Sequence, residues 1–406
     1  ASQPVSRAGF LPNMSTNSSN KSIVTFGGWY QRTTLHLSEI YSLLALGRSH
    51  LSGLSSEKLL ALRQDLNLKS VSRETASLEY VLAKSGDIEI KYYEDGLYTL
   101  TTTSSDIKSA QKNLEDYFES KLSPALSYIF SLGAPTPKIL ANIKTVHPTV
   151  ILISKDLPNG FQPDQNNFGE TYSQISSKDI SVYKTPRYIF VCYSNAQIVH
   201  AGDLVEMQIF FREFKDQLEK YLDIHRTVWE EISQIKERRS LKGKEINLVR
   251  SRLDGYQKTI SLIKNRINQM GTYLHTRSSI ARELKLEEHL VTLFQYKFET
   301  LADTLSYIKE IWAMTQDYLS SAIQLVVEVE NQSTNNSIKS LQIITSIGVV
   351  SGIIGYLARD QFPRITLQGL VFFILLLFVT WFLNYLIAKI YSNLTYRLKI
   401  NDTPTI

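Results

Sequence analysis

The chain has 406 residues, with 44 Lys and Arg against 39 Asp and Glu, for a formal net charge of +5. Its one cysteine, Cys192, excludes an intramolecular disulfide and any zinc site built on several thiolates. No Walker A loop, His-Glu-x-x-His, Cys-x-x-Cys or Gly-x-Ser-x-Gly motif occurs, so the sequence points away from an enzyme and from a bound cofactor.

Residues 1–21 are rich in Ser and Asn, lack an apolar core and read as a disordered tail rather than a signal peptide. The Asn-x-Ser/Thr sequons at Asn13, Asn17, Asn20, Asn331, Asn335 and Asn393 read as chance matches in such a chain. Residues 22–200 mix periods. Strands are expected at Ile23–Phe26, Ile88–Tyr93, Leu97–Thr101, Thr149–Ile153 and Tyr188–Tyr193, with Glu94-Asp95-Gly96 as a hairpin turn between the second and third. Helices are expected at Ser38–Leu46, Ser56–Asn67 and Asp106–Leu132. This is a cytoplasmic α/β domain. A large region without disulfides fits a reducing compartment.

From Arg187 to Phe362 there is no proline. Residues 201–284 are expected to form two long antiparallel helices, roughly Asp203–Arg239 and Lys244–Glu283, the first capped by Asp203. Residues 285–339 form a stalk helix whose apolar positions Leu286, Leu290, Leu293, Leu301, Leu305, Ile308, Trp312, Leu319, Ile323 and Val326 mostly step by three, four or seven. Continued to Leu357, that helix would be about 110 Å long at about 1.5 Å per residue, and a monomer offers little for it to pack against.

Two uncharged windows follow. Residues 340–358 and 365–388 are each about the length a bilayer core requires, and both are expected as transmembrane helices, joined by an outer loop at 359–364 and followed by a basic cytoplasmic tail at 389–406. Lys389, Arg397, Lys399 and Lys339 flank the outer ends and place both termini in the cytoplasm, in a cell (inner or plasma) membrane. The first window carries Thr345, Gly348, Gly352 and Gly355 on one helical face. That face reads either as close small-xxx-small packing or as the wall of a pore.

Between Lys236 and Arg282 the chain is basic. Arg238, Arg239, Arg250 and Arg252 are candidates for an anionic ligand, because clustered Arg suits phosphate-bearing partners; a solvated basic surface is the alternative. Glu287, Glu288 and His289 are adjacent, and read as a metal site or, since helix neighbours diverge, as a solvated face. No nucleic-acid partner is expected.

Asn335-Asn336-Ser337-Ile338-Lys339, then Leu341-Gln342-Ile343-Ile344-Thr345-Ser346-Ile347, then Gly352-Ile353-Ile354-Gly355, resembles the first membrane helix of the CorA-type divalent cation channels. The order of elements resembles that family over nearly the whole chain, the sequence only from about Asn335 to Pro363. The family's Gly-Met-Asn signature is absent. Gly355 is followed by Tyr356 and Leu357, and an ungapped register from Lys339 places Arg359-Asp360-Gln361 there.

The resemblance implies a funnel-shaped homopentamer in which Asn335, Ile338, Leu341, Thr345, Val349, Gly352 and Tyr356 line a pore. Leu341 and Val349 would then be constrictions, and Glu328 and Glu330 would gather cations at the inner mouth. It implies passage of Mg²⁺ or another divalent cation, with selectivity altered by the missing signature. Two other readings stand beside it: a membrane effector whose basic helices bind an anionic messenger, and a non-conducting scaffold.

Overall fold

The computed structural model describes residues 21–30, 36–130, 148–154, 161–177, 179–193, 200–238 and 240–357, with isolated positions from 367 to 393 and the segment Thr395–Arg397. The expected tail at 1–21 (save Lys21), the loop at 359–364, and most of 365–388 and 389–406 lie outside the described residues. The chain divides into two compact units. One comprises Ala1–Ile224 and Leu262–Glu310, the other His225–Ser261 and Ile311–Ile406.

The first unit is α/β. In chain order its elements are β1 (Ser22–Trp29), α1 (Leu37–Leu46), α2 (Ser56–Asp65), β2 (Ser70–Thr75), β3 (Glu79–Ser85), β4 (Ile88–Tyr93), β5 (Leu97–Ser104) and α3 (Ile107–Tyr117). A π-helical turn at Phe118–Leu122 leads into α4 (Ser123–Phe130). Then come β6 (Thr149–Ser154), α5 (Gln165–Phe168), β7 (Ser173–Ser176), β8 (Ile180–Lys184) and β9 (Tyr188–Tyr193). The strands form one sheet in the order β2-β3-β4-β5-β1-β6-β9-β8-β7. Only β6 and β9 pair in parallel. Their sequences, Thr-Val-Ile-Leu-Ile-Ser and Tyr-Ile-Phe-Val-Cys-Tyr, are near-continuous apolar runs, as strands covered on both faces are. The edge strands β2 and β7 are polar and half exposed, which suits a sheet edge.

Successive side chains of β1 serve opposite faces. Phe26 packs against Phe118, with ring centroids 5.3 Å apart, within the core that α1, α3 and α4 complete. Trp29, three residues on, stacks on Phe214 at 5.6 Å. Phe214 belongs to α6 (Ala201–Lys236), the first of the long helices.

The others are α7 (Gly243–Glu283), the short α8 (Glu287–Phe294) and the 60-residue α9 (Phe298–Leu357). A three-residue strand β10 (Ser240–Lys242) joins α6 to α7 and pairs with β11 (Thr395–Arg397). The expected single helix from Lys285 is therefore two. Gln295 takes a left-handed backbone at φ 59°, its N–H reaches the Val291 carbonyl, and that of Tyr296 reaches Leu290. This pattern of bonds ends a helix. Asp203 sits in the first turn of α6 rather than at its cap, beside His200 at 3.0 Å.

The turn between β4 and β5 anchors α7 within the first unit. Gly96 holds φ 89°, and a side chain there would collide with the Tyr30 carbonyl. Asp95 is thereby fixed in the interior. Arg277 donates to both its oxygens, Nε to Oδ2 at 2.7 Å and Nη2 to Oδ1 at 3.1 Å, with only 3% and 1% of the two side chains exposed. The guanidinium also lies 4.8 Å from the Tyr93 ring. Tyr93 in turn donates to Glu206 at 2.5 Å, and Lys91 reaches the same carboxylate at 3.1 Å. Burial penalises an isolated charge heavily, so such groups persist only when paired and bonded like this.

The expectation of two C-terminal transmembrane helices is corrected. Among the described residues no helix is long and apolar enough to cross a membrane. Residues 340–357 are the uninterrupted continuation of α9. The window 365–388 is described at isolated positions only. The expected membrane localisation, and the CorA-like architecture with two spanning helices, are withdrawn with them. What stands is an α/β unit with a nine-stranded sheet and long helices.

Candidate functional site

The second unit holds nearly all the residues that the sequence singles out. Along α9 the buried positions are Phe298, Leu301, Leu305, Ile308, Trp312, Thr315, Leu319, Ala322, Val326 and Val329. Their alternating steps of four and three make one continuous stripe. The stripe then stops. Among the described residues from Asn331 to Ile353 none is buried, although α9 runs on for about 40 Å at about 1.5 Å per residue.

Six of the seven expected pore residues, all but Tyr356, fall on this bare stretch. Ile338, Leu341 and Val349 are 49%, 60% and 55% exposed. Asn335, Thr345 and Gly352 are exposed too. The Thr345 hydroxyl donates to the Leu341 carbonyl at 2.7 Å, inside its own helix. Nothing lies within 4 Å of a methyl group built on Gly348 or Gly352, so neither glycine makes a close helix contact within one chain. Gly355, Tyr356 and Leu357 continue the helix in backbone only, and Arg359-Asp360-Gln361 lie outside the described residues.

The two acidic candidates separate. Glu330 accepts from Arg250 Nη1 at 2.5 Å, an ion pair between α9 and α7 with side chains 30% and 47% exposed. Glu328 accepts from Gln332, one turn on, at 3.4 Å. The basic candidates separate likewise. Arg250 is engaged with Glu330, Arg238 and Arg252 are exposed, and Arg239 lies outside the described residues. Lys242 and Lys244 stand exposed on either side of the α7 N-terminus. The structure thus joins one residue from the expected inner mouth to one from the expected anion site.

Sequence reasoning missed a cluster of aromatic side chains. Trp229 of α6 stacks on Tyr318 of α9, with centroids 4.4 Å apart and planes 14° from parallel. Lys236 Nζ sits 4.2 Å from the same Tyr318 ring and 3.2 Å from the Ser321 hydroxyl. His225, one turn before Trp229, meets the fully buried Trp312 edge-on at 5.8 Å. Desolvation by burial, and then the neighbouring Arg226 charge, hold its imidazole below the ordinary value. The i, i+4 spacing of His225 and Trp229 was visible in the sequence, but nothing there named their partners on α9.

Among the described residues no group of three His, Cys, Asp or Glu side chains could hold a metal ion. Glu287, from the expected Glu-Glu-His cluster, instead accepts from Arg282 at 3.0 Å. No protein-family model and no curated protein matches the chain.

Proposed function

We propose that the protein is a non-enzymatic scaffold that assembles with copies of itself through the C-terminal part of α9, and that the basic side of its second unit receives an anionic ligand. The observation that carries this is the bare stretch of α9. Ile338, Leu341, Thr345, Gly348 and Gly352 step by three and four along one face, the spacing of a seam between like helices. Val349, Val350 and Ile353 widen it, each more than half exposed.

Most helical stability in proteins comes from packing an apolar face against other structure. Each apolar side chain that becomes covered adds about 1 kcal/mol, half the value for complete burial. The described positions further on continue the theme: Val371, Ile374, Leu375, Phe378, Trp381 and Phe382 are all exposed. The second copy is the favoured partner because a 3–4 stripe with few charges complements itself. Exposed Arg238, Lys242, Lys244 and Arg252 would be repeated by the assembly, and repetition strengthens the attraction for anions. This reading, unlike cation passage through a bilayer, needs no spanning element.

Light scattering on the purified full chain, coupled to gel filtration, tests it. The wild type is expected at an integral multiple of the 46.3 kDa chain mass. A Leu341→Asp/Val349→Asp double variant is expected at one chain mass with unchanged circular dichroism. A monomeric wild type at tens of micromolar, or a double variant that keeps the wild-type mass, overturns the proposal.

A further inference from the structure

The geometry points to a binding site in the second unit for an uncharged, planar nitrogen heterocycle of one or two rings, seated against Trp229. Here α6 and α9 leave a cavity of about 270 Å³, lined by His225, Arg226, Trp229 and Glu230 from one helix and Ile311 and Met314 from the other. That volume lies just below the range of about 300–1,000 Å³ for drug-sized ligands, so one or two rings fit. The site stands whether or not the chain self-assembles.

The wall selects the shape. Trp229 is held flat by its stack on Tyr318, and Met314 is 60% exposed, with a flexible thioether that adapts to a ring. A planar ligand gains from a fixed aromatic face without ordering it first.

The rim selects the charge. Arg226 and Glu230 stand one turn apart on α6, both exposed. A cation meets the first and an anion meets the second, so a neutral ring is the least opposed. Hydrogen bonding selects the nitrogen. Burial, and then Arg226, oppose protonation of His225, and the neutral ring carries one donor and one acceptor. His225 itself lines the cavity, so its ring nitrogens border the ligand seated against Trp229. A ring nitrogen can accept from the His225 N–H, and a hydrocarbon of the same shape cannot.

The experiment uses the full chain with quinoline and naphthalene, which share a shape and differ by one ring nitrogen. Binding is read by ligand-observed saturation-transfer NMR and by quenching of tryptophan fluorescence at pH 7.5. Quinoline is expected to bind at least threefold more tightly than naphthalene. Its affinity is expected to fall at least tenfold in Trp229→Leu. Because Trp229→Leu also removes the stack on Tyr318, Met314→Glu serves as a second variant. It changes an exposed rim position, and is expected to weaken quinoline at least fivefold with unchanged circular dichroism and thermal midpoint. No quinoline binding, equal affinity for the two compounds, or binding that Met314→Glu leaves intact overturns the assignment.

Discussion

Two arginines on one helix make the informative comparison. Arg277 and Arg250 both belong to α7, and both join a carboxylate on another segment. Arg277 meets Asp95 bidentately inside the first unit, with 3% and 1% of the side chains exposed. Arg250 meets Glu330 in the second unit through one nitrogen, with 47% and 30% exposed. The Arg250 contact is the shorter, 2.5 Å against 2.7 Å, yet the Arg277 pair matters more to the fold. A buried charge that loses its partner cannot be rescued by water, whereas an exposed one can. The first unit therefore adds a buried ion pair to its apolar core. The second buries the later part of the α9 stripe, and its Arg250–Glu330 pair lies at the surface.

The largest effect expected is at the buried pair. Asp95→Ala strands Arg277 and should cost about 3–5 kcal/mol in urea unfolding. Adding Arg277→Met to it should recover much of that loss, because the uncompensated charge is then gone. A small loss in Asp95→Ala alone would break the comparison. Gly96→Ala sharpens the same point from the backbone side. Its left-handed φ of 89° and the approach of the Tyr30 carbonyl predict a loss of about 1–3 kcal/mol, read as a lower urea midpoint.

Next in size is a pH effect in the second unit. The pKa of His225 is lowered in the folded chain, first by burial and then by Arg226. Its contribution to stability is fully present above the unfolded-state value of about 6.5. It is lost as pH falls below that value, because the unfolded chain then takes up the proton more readily. Urea midpoints measured between pH 7.5 and 5.5 should fall less steeply in His225→Gln than in wild type, and identical slopes would remove His225 as the cause. Smallest is Arg250→Ala, with an expected loss of about 0–1 kcal/mol. A loss as large as that of Asp95→Ala would erase the distinction between the units.

Regular features were legible in the sequence. The stripe that ends at Val326 and Val329 is a run of three-four steps, and the run predicts a packed helix. The Glu-Asp-Gly turn and the apolar strands β6 and β9 carry local signatures as well. Strands β2 and β7 do not: Ser-Val-Ser-Arg-Glu-Thr and Ser-Gln-Ile-Ser are edge sequences whose strand character comes from the neighbour they pair with. The breaks at Lys285 and Gln295 use left-handed backbone without glycine, so no residue type announced them. The union of Arg250 with Glu330, and of Trp229 with Tyr318, joins helices far apart in sequence. Periodicity on one helix names the face but never the partner. The apolar window at 340–358 was read by its uncharged length, and length alone does not show what covers a helix.

The measurement that tests self-assembly most directly is hydrogen–deuterium exchange of residues 331–357 at two protein concentrations a hundredfold apart. The account predicts slow exchange at the high concentration and markedly faster exchange at the low one, confined to this stretch, while the β1 and β9 amides stay equally protected. Exchange in 331–357 that is fast at both concentrations, or slow at both, would contradict it.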